Sequence, residues 1–208
     1  WMFCYQCEQT AKGTGCTAFG ACGKDPETAA LQDLLIYGLK AIASFAHRAR
    51  LLGAKDPAID KFVTEALFTT VTNVNFDAKD VAQWVYRAAE MRDRAVKLYQ
   101  DACAAAGQEP CGCDVMKEAA AWQPAADLAE LIKQGEAVTI ETYIEKLGPD
   151  VAGLQQLLTY GLKGTAAYAD HAAILGQEDD SVYAFFLEAL SALADGEADV
   201  NTLVGLNL

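Results

Sequence analysis

The sequence is poor in basic residues and lacks long apolar runs. Its 208 residues contain 16 Lys and Arg against 29 Asp and Glu, a formal net charge of -13 at pH 7. Such an acidic chain is poorly suited to nucleic acid, whose phosphates are bound mainly by lysine and arginine. No stretch approaches the roughly eighteen consecutive apolar residues of a membrane helix, and no basic segment followed by an apolar run stands at the N-terminus. We therefore expect a soluble, cytoplasmic protein that binds neither nucleic acid nor membrane.

Histidine is also scarce, and neither His47 nor His171 stands in a Glu-x-x-His pattern. Because that pattern supplies ligands in helical di-iron carboxylate proteins, this class is excluded. Apolar residues, by contrast, make up 52% of the chain, which is ample for a packed core. The sequence therefore predicts a folded protein whose metal ligands, if it has any, are not histidines.

Apolar residues recur at helical spacing in three consecutive segments near the N-terminus. Each segment is preceded by an aspartate typical of a helix start, namely Asp25, Asp56 and Asp77. These signals predict helices over residues 26–52, 57–72 and 78–106. Since the connections between them are short, we expect the helices to fold back antiparallel into a bundle.

The first of these segments is repeated later in the chain. The residues LQDLLIYGLKAIASFAHRARLLGAKD, beginning at Leu31, align without a gap on LQQLLTYGLKGTAAYADHAAILGQED, beginning at Leu154. Apolar periodicity alone would not also reproduce the Tyr-Gly-Leu-Lys sequence that ends at Lys40 and again at Lys163. The repeat predicts an all-α fold of two duplicated three-helix bundles. The expected divisions are a cysteine-rich loop over 1–24, a first bundle over 25–110 and a second bundle over 111–208.

Two glycines interrupt the repeated helix. Glycine inside a helix costs about 1 kcal/mol relative to alanine. Gly38 and Gly161 therefore predict close approach of a neighbouring helix, with contact to a bound cofactor as the less favoured alternative.

A polar stretch from Gln134 to Asp150 separates the two repeats. After Asp199 a further helical pattern begins and reaches Leu208 without a cap or a polar tail. This pattern predicts that the second bundle is cut short and that the chain is a piece of a longer protein.

Four of the seven cysteines stand in the first 22 residues, in the order Cys4-x2-Cys7-x8-Cys16-x5-Cys22. Glycines between them permit the sharp bends that bring four thiols to one centre. Secreted disulfide scaffolds usually have an even number of cysteines spread through a short chain. The clustering instead favours a metal site in a reducing compartment.

The spacing of the thiols bears on the metal. Structural zinc sites usually pair cysteines two or four residues apart, and the interval between Cys16 and Cys22 fits this poorly. Iron–sulfur clusters also take four cysteines, at more variable spacing. The spacing therefore favours an iron–sulfur cluster on Cys4, Cys7, Cys16 and Cys22. A zinc-stapled helical interaction module without redox activity, or no metal at all, remains the alternative.

The other three cysteines are predicted to play no part in this site. Cys103 falls at a packing position of a predicted helix. Cys111 and Cys113 flank one glycine in a polar link and are interpreted as ordinary loop thiols, with a redox pair as the alternative.

The chain also resembles a known family, the hybrid-cluster proteins, which are also called prismane proteins or hydroxylamine reductases. The resemblance is strongest in Met2-Phe-Cys4-Tyr-Gln-Cys7-Glu-Gln-Thr10, Gly15-Cys16, Cys22-Gly-Lys24 and Leu31-Gln-Asp-Leu-Leu35. It continues through Thr72-Asn-Val-Asn-Phe76 and from Tyr160 to Gly176, and so covers nearly the whole chain.

The resemblance implies that Cys4, Cys7, Cys16 and Cys22 bind a [4Fe-4S] cluster. It also implies a second centre, a hybrid iron–sulfur–oxygen cluster that reduces hydroxylamine to ammonia or nitric oxide to nitrous oxide. The family binds that cluster in later domains, which lie outside these 208 residues. We therefore expect this chain to pass single electrons from an external donor to the remaining domains of a full-length protein, and to be inactive alone.

Overall fold

The computed structural model describes residues 2–8, 10–194 and 199–208. These residues form α-helices, with one short 3₁₀ turn and one isolated β-bridge in the N-terminal loop. The all-α prediction is therefore confirmed. The helices are α1 Pro26–Leu51, α2 Pro57–Thr69, α3 Ala78–Ala105, α4 Asp114–Ala121, α5 Leu128–Glu136, α6 Ile140–Leu147, α7 Pro149–Ile174, α8 Asp180–Ala194 and α9 Val200–Asn207.

The first three helices begin at the predicted aspartates. The carboxylates of Asp25, Asp56 and Asp77 each accept a hydrogen bond from a backbone N–H of the first turn, at 2.7, 3.0 and 2.9 Å. α1 and α3 end within one residue of the prediction, but α2 ends at Thr69 rather than near residue 72. Thr70 caps the helix, because its N–H donates to the Leu67 carbonyl at 3.1 Å and its hydroxyl donates to the same carbonyl at 2.8 Å, which satisfies a group that the helix end leaves free.

The sequence repeat is also a repeat of structure. α1 and α7 are both 26 residues long, and each is followed by a glycine with positive φ, Gly53 at 85° and Gly176 at 75°. The next helix also begins alike in both copies, since Asp179 accepts a bond from Ser181 N at 2.8 Å much as Asp56 does from Ala58 N. The bounds and caps of these two pairs of helices agree with the alignment, whereas the division into two duplicated three-helix bundles stays a prediction.

α1 lies at the centre of the fold and packs against α3, α4, α5 and α8, while α2 packs against α7. Helices of the two repeats therefore share one apolar core. Arg50, at the end of α1, strengthens this link with ion pairs to Asp60 of α2 at 2.6 Å and Asp180 of α8 at 2.8 Å. Among the described helices, α1 alone has the length and hydropathy of a membrane span, and 89% of its apolar window is buried in the fold.

The residues between α3 and α7, which include the polar stretch 134–150, are more helical than the sequence suggested. They contain α4, α5 and α6. The fully buried guanidinium of Arg92 donates to the carbonyls of Ala119, at 3.0 Å, and Trp122, at the end of α4. These bonds satisfy carbonyls that a helix end leaves free.

The two glycines of the repeated helix differ in their surroundings. A Cβ on Gly38 would lie 2.9 Å from the Trp122 ring and 3.2 Å from Ala88 Cβ, so the predicted close packing is confirmed there. A Cβ on Gly161 would meet no atom of the described residues within 4 Å, and the prediction is wrong at that position.

Candidate metal centre

The N-terminal loop is closed by a backbone pairing of Cys4 with Cys16. Cys4 N–H donates to the Cys16 carbonyl at 3.0 Å, and Cys16 N–H donates to the Cys4 carbonyl at 2.8 Å. Between them the chain turns through the 3₁₀ segment Ala11–Gly13 and through Gly15, whose φ is 147°. A Cβ on Gly15 would lie 2.8 Å from the Phe3 ring, so this bend needs glycine for space as well as for conformation.

Cys16 is the best-protected thiol of the four. It is buried, whereas Cys4, Cys7 and Cys22 are partly exposed. Ala21 N–H donates to Cys16 Sγ at 3.4 Å. Hydrogen bonds with the backbone of Ala11 and Ala21 lower the pKa of the Cys16 thiol, because they stabilise the thiolate.

The donor chemistry of this loop fits a thiolate-bound metal group, but the side chains are only partly gathered. All four cysteines are free rather than paired in disulfides, and Cys16 already accepts the kind of N–H bond that tunes bound thiolates. The backbone brings Cys4 beside Cys16, and the N–H of Ala21, next to Cys22, reaches Cys16 Sγ. Among the residues that the structure describes, however, no three His, Cys, Asp or Glu side chains are close enough to hold a metal ion. The assignment of the four ligands stays a prediction.

The loop is docked on both repeated helices. Tyr5 packs edge-to-face on Tyr160 of α7, with ring centroids 5.6 Å apart. Lys24 Nζ donates to Gln32 Oε1 of α1 at 2.6 Å, and Gln32 in turn donates to the Asn75 carbonyl at 2.9 Å. The cysteine loop is thereby held over the space between α1 and α7.

That space contains a narrow polar cavity of about 30 Å³. Cys4 lines it from the loop, Asp33 and Lys40 from α1, and Gln156 and Lys163 from α7. Asp33 and Gln156 are equivalent positions of the two repeats, as are Lys40 and Lys163. The duplication thus places matching side chains on two sides of one cavity.

Burial shifts the pKa of three charged groups in the cavity, namely Asp33, Lys40 and Lys163. Burial raises the pKa of Asp33 to about 6, although Lys163 and Lys24 act in the opposite direction. Burial lowers the pKa of Lys40 to about 8, and that of Lys163 also to about 8. Both directions follow from the cost of holding a charge away from water. These residues were not predicted as a site from the sequence. The sequence feature that points to them is the lysine repeated at the end of Tyr-Gly-Leu-Lys.

The remaining cysteines lie apart from the loop, as predicted. Cys103 is buried in α3, and Cys111 and Cys113 are exposed ahead of α4. Cys113 N–H donates to Cys111 Sγ at 3.4 Å. Cys103 is therefore a packed thiol, whereas Cys111 and Cys113 are accessible to solvent.

Fold and site together define an all-α protein whose cysteine-rich N-terminal loop covers a lysine-lined cavity between two repeated helices. Residues 2–207 match the Prismane/CO dehydrogenase family. The chain therefore belongs to that family, which confirms the resemblance to the hybrid-cluster, or prismane, proteins.

Three relatives show how much of the chain is shared. The chain is 50% identical over 207 residues to a protein of Rhodospirillum rubrum named hydroxylamine reductase. It is 48% identical over 209 residues to a protein of that name from Geobacter sulfurreducens, and 45% identical over 207 residues to one from Methanocella arvoryzae. Each comparison covers 100% of this chain but only 37% of the relative's length.

Proposed function

We propose that this chain is the iron–sulfur electron-transfer part of a cytoplasmic oxidoreductase of the hydroxylamine reductase type. Its partners are then an external electron donor and the further domains that make up the rest of its relatives' length. In the intact protein those domains would hold a hybrid cluster, which would supply the chemistry for reducing hydroxylamine to ammonia or nitric oxide to nitrous oxide. Both reactions consume electrons that the cysteine loop helps to deliver.

One observation carries the proposal: a chain that matches the family over residues 2–207 has four free thiols in its N-terminal segment, where a backbone pairing of Cys4 with Cys16 closes the loop that contains Cys7, and Cys22 follows six residues later. Cys4, Cys7, Cys16 and Cys22 would hold a [4Fe-4S] cluster, which supplies one-electron redox chemistry when bound. The zinc alternative has no comparable support, because relatives along the whole chain are named for a reductive reaction.

The residues of the chain serve this role by position and protection. Cys16, which is buried and accepts a hydrogen bond from Ala21 N–H, lies on the side of the loop that is protected from water. The partly exposed Cys4, Cys7 and Cys22 leave the other side close to the surface. An electron donor can therefore approach the loop from solvent while the helices hold it in place.

The ligand assignment is tested by comparing two cysteine substitutions. Cys16→Ala should lose most of the iron and visible absorbance of the anaerobically purified chain, because it removes one thiolate ligand, while its helical circular dichroism is kept. Cys111→Ala deletes the same thiol from an exposed position and should keep wild-type iron. A Cys16→Ala protein with full iron content and unchanged absorbance would contradict the assignment.

A further inference from the structure

The cavity under the cysteine loop holds an unusual excess of buried positive charge. Lys24, Lys40 and Lys163 are 3%, 5% and 4% exposed, and all three line the cavity. Asp33 is the carboxylate that lines it with them. An ion taken out of water costs several kcal/mol unless an opposite charge accompanies it. A second carboxylate lies nearby, since Glu141 of α6 has both oxygens buried without a hydrogen-bond partner and acts electrostatically on Asp33. Among the described residues, two carboxylates still leave part of the charge of three ammonium groups uncompensated.

The contacts of the lysines satisfy some donors without neutralising charge. Lys24 Nζ donates to Gln32 Oε1 at 2.6 Å and Lys163 Nζ to the Thr70 carbonyl at 3.5 Å, and both acceptors are neutral. Lys40 Nζ lies over the Tyr143 ring, 4.4 Å from its centroid. Among the described residues, none of the three lysines forms an ion pair within 4.0 Å. The remaining positive charge would be stabilised by a further negative group that borders the cavity.

The cysteine loop borders the cavity and can provide that charge. Cys4 lines the cavity together with Lys40 from α1 and Lys163 from α7. Metal-bound cysteines are thiolates, and a [4Fe-4S] cluster on four of them would carry a net negative charge beside the lysines, because its core offsets only part of the thiolate charge. The two repeat-equivalent lysines approach this charge from two different helices.

We propose that Lys40 and Lys163 are internal counter-charges that favour the reduced form of the group held by the cysteine loop and so raise its reduction potential. This inference rests on the proposed function. Reduction adds one electron, supplied by a one-electron donor, and hence one negative charge at the loop. A fixed positive charge in a weakly screened interior stabilises that state, whereas the negative charge of Asp33 opposes it. The lysines are positioning residues and take no part in a bond-making step.

The test is a redox titration followed by EPR on the anaerobically purified chain, with dithionite as reductant. Lys40→Met and Lys163→Met should each shift the potential to more negative values, because a nearby positive charge is lost. Asp33→Asn should shift it to more positive values, because a negative charge is lost without a change of shape. Lys97→Met is the matched control: its side chain is 74% exposed on α3, where water and salt screen the charge.

Opposite shifts from the lysine and aspartate variants support the counter-charge role, since a general loss of packing has no reason to reverse its sign. Potentials unchanged in all three cavity variants, or shifts in the same direction, overturn it. If the methionine variants lose iron, two other variants still test the proposal. Asp33→Asn should shift the potential to more positive values. The charge-conserving Lys40→Arg should keep a potential near that of the wild type. Wild-type chain without iron and sulfide would overturn the proposed function and this inference together, whereas unmoved potentials overturn the inference alone.

Discussion

At the scale of single residues, the thiols of this chain differ in exposure and in hydrogen bonding. Cys103 is 1% exposed, whereas Cys111 and Cys113 are open to solvent. A hydrogen bond from the Cys113 side chain, together with its backbone N–H, lowers the pKa of the Cys111 thiol. Because the thiolate is the reactive form, Cys111 should be the most readily alkylated of these three.

This difference predicts a pH dependence of alkylation. The rate at Cys111, followed by mass spectrometry with iodoacetamide, should rise with pH and reach half its maximum below the ordinary thiol pKa of 9.0. Cys113→Ala removes the side-chain hydrogen bond and should move this midpoint to higher pH. Cys103 serves as the internal control and should react only on unfolding. An unchanged midpoint in Cys113→Ala would contradict the hydrogen-bond explanation.

Lys40 and Lys163 show where inference from single residues reaches its limit. A lysine within an apolar helical pattern is expected to face solvent, because burying its charge is costly. Both are instead buried beside the cysteine loop. The cavity that they line is completed by Cys4 from the N-terminal loop, and helical periodicity carries no information on a neighbour so far away in the chain.

At the scale of helices, capping residues and the repeat predicted α1, α2, α3, α7 and α8 well. α4, α5 and α6 were missed because they lie outside the aligned repeat, and each has only eight or nine residues. Their positions depend on tertiary contacts such as that of Arg92 with the end of α4. The four cysteines were identified as candidate ligands from their spacing, but spacing in the sequence does not determine the distances between their side chains.

Because α5 approaches α1 closely, substitution by alanine should change the free energy of unfolding in opposite directions at two glycines. A Cβ on Gly135 would collide with the backbone carbonyl of Ala30, which a rigid helix cannot move aside. Gly135→Ala should lower the free energy of unfolding by about 1–3 kcal/mol, the usual cost of overpacking. Gly161→Ala meets open space and should raise it by up to about 1 kcal/mol, since alanine is the better helix former. Urea denaturation followed by circular dichroism measures both, and equal effects would contradict the packing of α5 on α1.

At the scale of the whole molecule, the duplication brings equivalent residues together instead of producing two unconnected copies. α1 packs against α8 and α2 against α7, so the repeats share a core. The same arrangement sets Lys40 and Lys163 around one cavity under the cysteine loop. The division of the chain near residue 110 stays a prediction, as does the role of the further length present in the relatives.

An iron–sulfur cluster held by the N-terminal loop for electron transfer has a direct chemical signature. Iron, zinc and acid-labile sulfide analysis of the anaerobically purified chain tests for it most directly, with absorbance and EPR spectra before and after dithionite. We expect about four iron and about four sulfide per chain, with broad absorbance that bleaches on reduction. About one zinc per chain, without sulfide or colour, would contradict the presence of this cluster and favour a zinc-stapled helical module.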